Sequence, residues 1–383
     1  MTRTGHPGVL PALSWSADVL PGFEQSTLQG LSAADGPVEL VLVRRRCIVV
    51  TNATNASDAN DVSNASNASD ASDASDAISA TNATNATNAS VLYIHGFVDY
   101  FFQVHLADFY NAAGLHFYAL DLRRHGRSLR PHQLPNCTRD IDEYLQDVDT
   151  AMQMLRDVEG VQRVLLNGHS TGGLVAALYA HRGRHRQSVD AVFLNSPFLD
   201  MNLPAWQQRW VEPVLSALGR WFPRWRLPGL STVYGQTVHA DHHGEWQYDT
   251  AWKPIHGFAV YAGWFRAIHR AHAEVERGLA IDCPCLVLHA RHSRRTRVWS
   301  DAAMAADIVL DVADIQRLSP RLGPQVEIHA VDGAMHDLVL SAGAARAATF
   351  RLLADWLHRI GLGKPRPPGR QPAGGSAARA RTN

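Results

Sequence analysis

The sequence predicts an α/β fold in which a mostly parallel sheet is flanked by helices and carries a mainly helical insertion. From residue 90 to residue 360, short runs rich in Val, Leu and Ile alternate with segments of helical periodicity. Such alternation is typical of parallel strands joined by right-handed crossovers. It stops over residues 197–281, a segment that holds seven of the ten tryptophans. We expect this segment to be a cap over the sheet, with its aromatic residues forming a cap core or lining an apolar pocket.

Six segments follow from this pattern. They are a lead-in with the first strands (1–50), a low-complexity insertion (51–90), two parts of the α/β core (91–196 and 282–360), the cap (197–281) and a tail (361–383).

The predicted elements run in order along the core. Residues 38–50 are expected to form one or two strands, broken by three consecutive arginines at 44–46. Residues 141–158 are predicted to be helical because apolar side chains recur there at helical spacing. The other predicted strands are 90–96, 115–121, 164–166, 189–195, 285–289 and 325–330, and the other predicted helices are 101–113, 174–180 and 350–360.

The low-complexity insertion repeats Asn-Ala-Thr, Asn-Ala-Ser and Ser-Asp-Ala triplets. It has almost no large apolar side chain to offset its ordering entropy, so we expect disorder. The N-x-S/T triplets it contains start at Asn52, Asn55, Asn64, Asn67, Asn82, Asn85 and Asn88, and we interpret them as a codon repeat rather than glycan acceptors. The tail carries five basic residues and little to bury, which allows at most a transient contact with an anionic membrane surface.

Composition narrows the class of protein. The formal net charge is zero, so nothing favours nucleic acid as a partner. The four cysteines form no C-x-x-C pair and are expected to be buried thiols. A basic region followed by an apolar run is missing from the start of the chain, and no stretch of eighteen apolar residues occurs. We therefore expect a cytoplasmic protein.

The segment 163–177 has the pattern of a nucleophile site. A buried strand runs into Gly168-His169-Ser170-Thr171-Gly172, which matches G-x-S-x-G, and a helix follows. This strand–turn–helix context predicts a sharp turn that exposes the Ser170 hydroxyl at the carboxyl end of the sheet. The residues two positions either side must be very small, and both are Gly.

A serine hydroxyl needs a base, and His336 is the best candidate of twenty histidines. It lies in a short Gly-containing loop after the last predicted strand, which would carry an imidazole to Ser170. His329 and His169 are lesser candidates. The oxyanion of a tetrahedral intermediate is expected to accept from the backbone N–H groups of Thr171 and Phe97.

These motifs resemble those of the α/β-hydrolase superfamily, and within it the lysophospholipase, monoacylglycerol lipase and serine aminopeptidase S33 group. The matching pieces are His95-Gly96-Phe97, residues 121–128 against D-x-R-G-H-G-x-S, Gly168–Gly172, and Gly333–Asp337 against G-x-x-H-[DE]. The resemblance covers roughly residues 90–360 without the cap, and it implies an α/β-hydrolase fold. Arg124 replaces the first Gly of the R-G-H-G loop.

The resemblance also implies an acid, in the chain order serine, acid, histidine. Its usual place just after the strand 285–289 holds no carboxylate. Asp307, in Asp307-Ile-Val-Leu, has the Asp-x-Val-apolar pattern that usually follows this strand in the family, provided that residues 291–306 are an inserted excursion. Asp311 is the next candidate, and Asp301 and Asp200 remain alternatives.

Two polar clusters have a structural and a functional interpretation. The charges of residues 121–128 are expected to pair among themselves, with substrate contact by Arg124 or His125 as the alternative. The loop His239-Ala-Asp-His-His243 lacks the H-E-x-x-H spacing, so we expect neither a metal nor a cofactor.

The sequence therefore predicts a serine hydrolase that cleaves a small-molecule ester or lipid with an apolar acyl group, through an acyl-enzyme. An S33-type aminopeptidase is the second hypothesis, for which Asp241 and Glu245 would supply an acidic pocket. The third is a non-catalytic ligand-binding protein on the same fold, which the missing acid keeps open.

Overall fold

The computed structural model describes residues 13–33, 36–47, 89–229 and 231–363. Residues 51–88 of the low-complexity insertion, with the asparagines of its N-x-S/T triplets, and nearly all of the tail lie outside the described residues. The last two residues assigned to the insertion, Ala89 and Ser90, are not disordered but begin a strand.

The described chain forms one nine-stranded sheet in the order β1-β2-β3-β5-β4-β6-β7-β8-β9. The strands are Ser16–Ala17 (β1), Glu24–Ala33 (β2), Gly36–Arg45 (β3), Ala89–Ile94 (β4), His116–Asp121 (β5), Arg163–His169 (β6), Val189–Asn195 (β7), Cys285–Ala290 (β8) and Val326–Val331 (β9). The first three strands pair antiparallel, as do β3 and β5, and all pairs from β5 to β9 are parallel. The predicted mostly parallel α/β sheet is confirmed.

Helices cover both faces of the sheet. They are Val104–Ala112 (α1), Asp142–Asp157 (α2), Thr171–Arg182 (α3), Ala205–Trp221 (α4), Val233–Val238 (α5), Ala262–Arg277 (α6), Val312–Leu318 (α7) and Gly343–Arg359 (α8). Side chains of the central strands alternate between two apolar cores, so that Leu92 and Leu166 pack on one face and Tyr93 and Leu165 on the other. Because both faces are buried, these strands are continuous hydrophobic runs.

The first strands differ in their bounds from the expectation. β3 continues through Arg44 and ends at Arg45, within the run of three arginines, and residues 48–50 lie outside the described residues. Arg44 donates to Glu24 and Glu159, and Arg45 pairs with Asp108. Both guanidinium groups are therefore paired with carboxylates while their backbone stays in the strand. The ten-residue strand β2 lies within the lead-in segment 1–50, before residues 38–50, where the first strands were expected.

The segment between β7 and β8 contains α4, α5 and α6 and includes the predicted cap. Helices α4 and α6 pack closely, since a Cβ on Gly219 would lie 2.2 Å from the carbonyl oxygen of Ala262. The expectation for its tryptophans holds for Trp264, which is 6% exposed and lines a cavity. It is wrong for Trp206, Trp210, Trp221 and Trp225, which are 61%, 66%, 73% and 49% exposed.

Candidate active site

Ser170 lies at the turn from β6 into α3, with a backbone conformation that L-residues rarely adopt (φ 53°, ψ −118°). Its glycine neighbours allow this turn. A Cβ on Gly168 would lie 2.3 Å from the carbonyl oxygen of Gly172, and one on Gly172 would lie 2.2 Å from that of Ile94. The Ser170 N–H donates to the carbonyl of Asn195 on β7 at 3.0 Å. Strand and helix thus approach closely enough to hold the hydroxyl at the carboxyl edge of the sheet.

His336 follows β9 after a turn at Gly333, whose φ is +68°. Its Nε2 lies 3.0 Å from Ser170 Oγ, and its Nδ1 lies 2.8 Å from Oδ2 of Asp307. All three side chains are buried. The structure therefore joins Ser170, His336 and Asp307 into one hydrogen-bonded chain.

Asp307 reaches this position through the loop that follows β8. The chain leaves the sheet near His292 and returns at Asp307, whose N–H donates to the His292 carbonyl at 2.9 Å. Its other carboxylate oxygen accepts the N–H groups of Val309 and Leu310 at 2.9 and 2.8 Å, which fixes the side chain. The excursion expected from the sequence is present, and it explains why the position just after β8 holds no acid.

The other candidate acids have different partners. Asp311 caps α7 by accepting from the Ala313 N–H at 3.0 Å. Asp200 accepts from Arg317 at 2.6 Å, and Asp301 is an exposed residue at the start of a short 3₁₀ turn. None of the three contacts His336 among the described hydrogen bonds and ion pairs.

The two lesser histidines are also placed elsewhere. His169 Nδ1 lies 3.1 Å from the carbonyl of Asn195, and burial lowers the pKa of its ring. Its ring centroid is 4.9 Å from that of His336, so it packs beside the hydrogen-bonded chain. His329 lies on the exposed side of β9, 3.6 Å from Glu327.

The expected oxyanion donors flank Ser170. Thr171 is the first residue of α3, and the N–H groups of a first helical turn have no partner within the helix. On the other side, a Cβ on Gly96 would lie 3.2 Å from the Cβ of Ser170, so the loop 95–97 runs directly over the serine. Phe97 and Thr171 line the same cavity as Ser170.

A buried ion pair lies on this loop, and the sequence analysis missed it. Lys253 Nζ, from the segment between β7 and β8, donates to Asp99 Oδ1 at 2.7 Å and lies 3.5 Å from the Val98 carbonyl. Burial opposes ionisation of Asp99, but the ammonium holds its pKa below the ordinary value. The hydroxyls of Tyr234 and Tyr248 are buried close by, with no hydrogen-bond partner in the described part of the chain. The one feature of the sequence that could have pointed to Lys253 is its rarity, because it is one of only two lysines in an arginine-rich chain.

The loop 121–128 is held by internal ion pairs. Arg123 donates to the buried Asp147, and Arg127 donates to Asp121 and Asp18. Arg124 has a positive φ of 63°, where the resemblance leads one to expect glycine, and it donates to Glu143. Burial lowers the pKa of His125 well below its ordinary value. Neither Arg124 nor His125 lines the cavity beside Ser170, so the structural interpretation of this loop is the one the geometry favours.

The cavity beside Ser170 has a volume of about 590 Å³ and a mainly apolar wall. Residues of α4 and α6 form one side, including Val211, Leu215 and Trp264. Residues 308–310, just after Asp307, form another part of the wall. A long apolar group could therefore lie within reach of the serine hydroxyl.

No cluster of three or more metal-binding side chains occurs within the described ranges, and His239, His242 and His243 form none. None of the four cysteines, all of which lie within the described ranges, is in a disulfide. Three are buried as expected, whereas Cys283 is partly buried, and burial raises its pKa to about 11. Within the same ranges, the helices are all too short or too polar to cross a bilayer.

Comparison with known proteins identifies the family. Residues 85–341 match the model of the hydrolase family described as serine aminopeptidase, S33. The chain belongs to this S33 family of α/β hydrolases. The resemblance stated from the sequence motifs is thereby confirmed.

Relatives of this S33 hydrolase include lipases. The chain is 29% identical over 234 residues to a monoacylglycerol lipase of Mycolicibacterium smegmatis (strain ATCC 700084 / mc(2)155), covering 58% of this chain and 78% of the relative. A soluble variant of the Saccharomyces cerevisiae monoglyceride lipase superposes with a TM-score of 0.57 at 15% identity, over 88% of this chain and 96% of that one. A Paleococcus ferrophilus monoacylglycerol lipase gives 0.51 at 22% identity, over 70% and 94%. At these identities the solved structures establish the fold.

Proposed function

We propose that the protein is a serine hydrolase that cleaves a carboxylic ester with an apolar acyl group through an acyl-enzyme. The observation that carries the proposal is the hydrogen-bonded chain Ser170–His336–Asp307, which opens onto an apolar cavity. The lipase relatives agree with an ester as substrate.

In this proposal His336 Nε2 takes the proton of the Ser170 hydroxyl as Oγ attacks the ester carbonyl. Asp307 accepts from Nδ1–H, holds the productive tautomer and stabilises the imidazolium. The carbonyl oxygen becomes negative and accepts from the N–H groups of Phe97 and Thr171, each contributing ~3 kcal/mol of transition-state stabilisation. The imidazolium then gives its proton to the leaving alcohol. Water, deprotonated by His336, hydrolyses the acyl-enzyme in a second round of the same steps.

The two sides of the cavity favour different parts of a substrate. The apolar wall formed by Val211, Leu215 and Trp264 suits a hydrocarbon chain. Asp99 and Lys253, which form the buried ion pair, also line the cavity, as do the side chains of Tyr234 and Tyr248. A hydroxylated leaving alcohol of the monoacylglycerol kind would place its hydroxyl groups beside this ion pair, where they can hydrogen-bond to charged groups, whereas a purely apolar alcohol would not.

An S33-type aminopeptidase is the second candidate, because the family description names that activity. The two carboxylates expected to supply its amine pocket do not support it. Asp241 is largely exposed beside His239, and Glu245 is exposed beside Arg346. Asp99 is the acid in the cavity, and Lys253 already neutralises it. We therefore favour the ester, and the intact hydrogen-bonded chain argues against a non-catalytic binding protein.

The partner we propose is a small-molecule ester or lipid, and a lipid would bring the enzyme into transient contact with a membrane surface. The compartment we propose is the reducing cytoplasm, which agrees with four described cysteines that form no disulfide.

The test compares p-nitrophenyl esters of two to sixteen acyl carbons with aminoacyl anilides, for the wild type, Ser170→Ala and the control Ser188→Ala. We expect ester turnover that rises with acyl length, is lost in Ser170→Ala and is unchanged in Ser188→Ala, whose serine lies outside the cavity. Turnover of anilides but not esters would favour the aminopeptidase. Equal ester turnover in Ser170→Ala would refute the assignment of the nucleophile.

A further inference from the structure

Exposed large apolar side chains are concentrated in one segment of the molecule. Nine such residues are exposed in the part of the chain that the structure describes, and six of them lie between residues 206 and 225. They are Trp206, Trp210, Val214, Trp221, Phe222 and Trp225. A cluster of this kind marks an interaction surface, whereas single exposed apolar residues are ordinary.

Helix α4 arranges these side chains in a stripe. With about 100° between successive residues, Trp206, Trp210, Val214 and Trp221 fall within about 80° of arc around the helix axis. The stripe is about 22 Å long, given the rise per residue of an α-helix. Phe222 and Trp225 extend it into the turn that follows. We call these six residues the aromatic stripe.

The rest of the helix circumference has other partners. Val211 and Leu215, in the sector next to the stripe, line the cavity beside Ser170. Further round, Glu212 and Ser216 are buried, and Gly219 packs against α6. The helix is therefore held by its inner face, which leaves the aromatic stripe outward and adjacent to the cavity wall.

The exposed charges of the segment that carries the aromatic stripe, residues 205–229, have one sign. The guanidinium groups of Arg209 and Arg220 lie 5.4 and 5.5 Å from the ring centroids of Trp210 and Trp221. Arg224 and Arg226 are exposed in the turn. The only acidic residue between 205 and 229 is Glu212, which is buried. A chain with no net charge thus carries a local excess of positive charge beside its exposed tryptophans.

We propose that the aromatic stripe is a docking surface for an anionic phospholipid bilayer. Tryptophan is favoured at the boundary between headgroups and acyl chains, and arginine is attracted to anionic headgroups. A helix with aromatic residues on one face and flanking cations is suited to lie in that boundary. A second copy of the chain fits less well, because a two-fold contact through the stripe would bring the arginines of both copies together. Docking in this way would place the cavity wall at the membrane surface. The proposal needs neither Ser170 nor His336, so it stands independently of the proposed catalysis.

The test measures co-sedimentation of the full chain with sucrose-loaded vesicles of phosphatidylcholine, with and without 30% phosphatidylglycerol. We expect binding to the anionic vesicles, weaker binding to the neutral ones, and a blue shift of tryptophan fluorescence on binding. Trp210→Ser/Trp221→Ser should weaken the affinity by at least tenfold. Arg209→Gln/Arg220→Gln should weaken binding to anionic vesicles by on the order of tenfold and leave binding to neutral vesicles unchanged. Val19→Ser is the matched control, because Val19 is an exposed apolar residue outside the stripe.

Ser170→Ala should bind vesicles like the wild type, and the stripe variants should cleave a water-soluble ester like the wild type. Failure of the docking proposal can therefore be told from failure of the proposed catalysis. Binding that is absent in the wild type, or unchanged in the tryptophan variant, would overturn the docking proposal. So would equal affinity for neutral and anionic vesicles. A wild-type dimer that Trp210→Ser/Trp221→Ser converts to a monomer in light scattering, with no vesicle binding, would assign the stripe to self-association instead.

Discussion

Replacing Asp307 by asparagine separates a catalytic role of this side chain from a structural one. In Asp307→Asn the remaining oxygen can still accept the N–H groups of Val309 and Leu310, so the turn keeps both bonds. The amide NH₂ would then face Nδ1 of His336, where Oδ2 now lies at 2.8 Å. Nδ1 must become an acceptor, which moves the ring proton to Nε2. The nitrogen 3.0 Å from Ser170 Oγ then no longer accepts the hydroxyl proton.

We expect kcat for p-nitrophenyl butyrate to fall by about 10⁴-fold, because that is the typical loss of rate when the histidine of a serine–histidine–acid arrangement is held in the wrong tautomer. The free energy of unfolding, measured in urea, should change by no more than ~1 kcal/mol because the fold loses no buried partner. Asp311→Asn is the matched control and should keep wild-type kcat, since asparagine also caps a helix. If Asp307→Asn kept a tenth of wild-type activity, or Asp311→Asn lost as much, the assignment of Asp307 would be wrong.

Three further predictions concern stability. Gly172→Ala should lower the free energy of unfolding by about 3 kcal/mol, because its Cβ would overlap the backbone of β4, whereas Gly343→Ala, in open space, should be neutral or stabilising in urea titrations. Lys253→Met should lower the free energy of unfolding by about 3 kcal/mol because it leaves the buried Asp99 carboxylate unpaired, and Asp99→Asn in the same chain should restore most of that stability. Additive losses of stability in the double variant would contradict the coupling of the two side chains. Burial raises the pKa of Glu212 to about 7 from 4.5, so the stability linked to this group is complete below pH 4.5 and lost as the pH rises through 7. Glu212→Gln should therefore be more stable than the wild type by about 1 kcal/mol at pH 8 and similar to it at pH 4; equal melting curves at pH 8 would contradict this.

The sequence was most informative where the geometry is set by neighbouring residues. Gly168 and Gly172 define the turn around Ser170 because only glycine fits against the adjacent backbone. The short loop that starts at Gly333 fixes where His336 can lie relative to the end of β9. These constraints are local, so a motif of five residues contains them.

Contacts between distant parts of the chain were harder to derive. The position of Asp307 depends on an excursion that closes through a bridge between residues 293 and 307, which the sequence indicated only by a similarity of shape. Lys253 and Asp99 are 154 residues apart, and no spacing rule connects them. The expectation for the cap tryptophans was wrong at the exposed positions for another reason. The number of tryptophans predicted a cap core or a pocket lining, but composition cannot tell which face of a helix points outward. The spacing of Trp206 and Trp210 along one helix face would have indicated a stripe.

The measurement that tests the central claim most directly is the site of covalent labelling by an alkyl fluorophosphonate. The proposed chemistry requires an activated hydroxyl at residue 170, so intact-mass analysis should show one adduct per chain, and peptide mapping should place it on Ser170. The adduct should be absent from Ser170→Ala and should form far more slowly in Asp307→Asn. A wild-type chain that takes up no label while folded, or an adduct that persists in Ser170→Ala, would contradict the account.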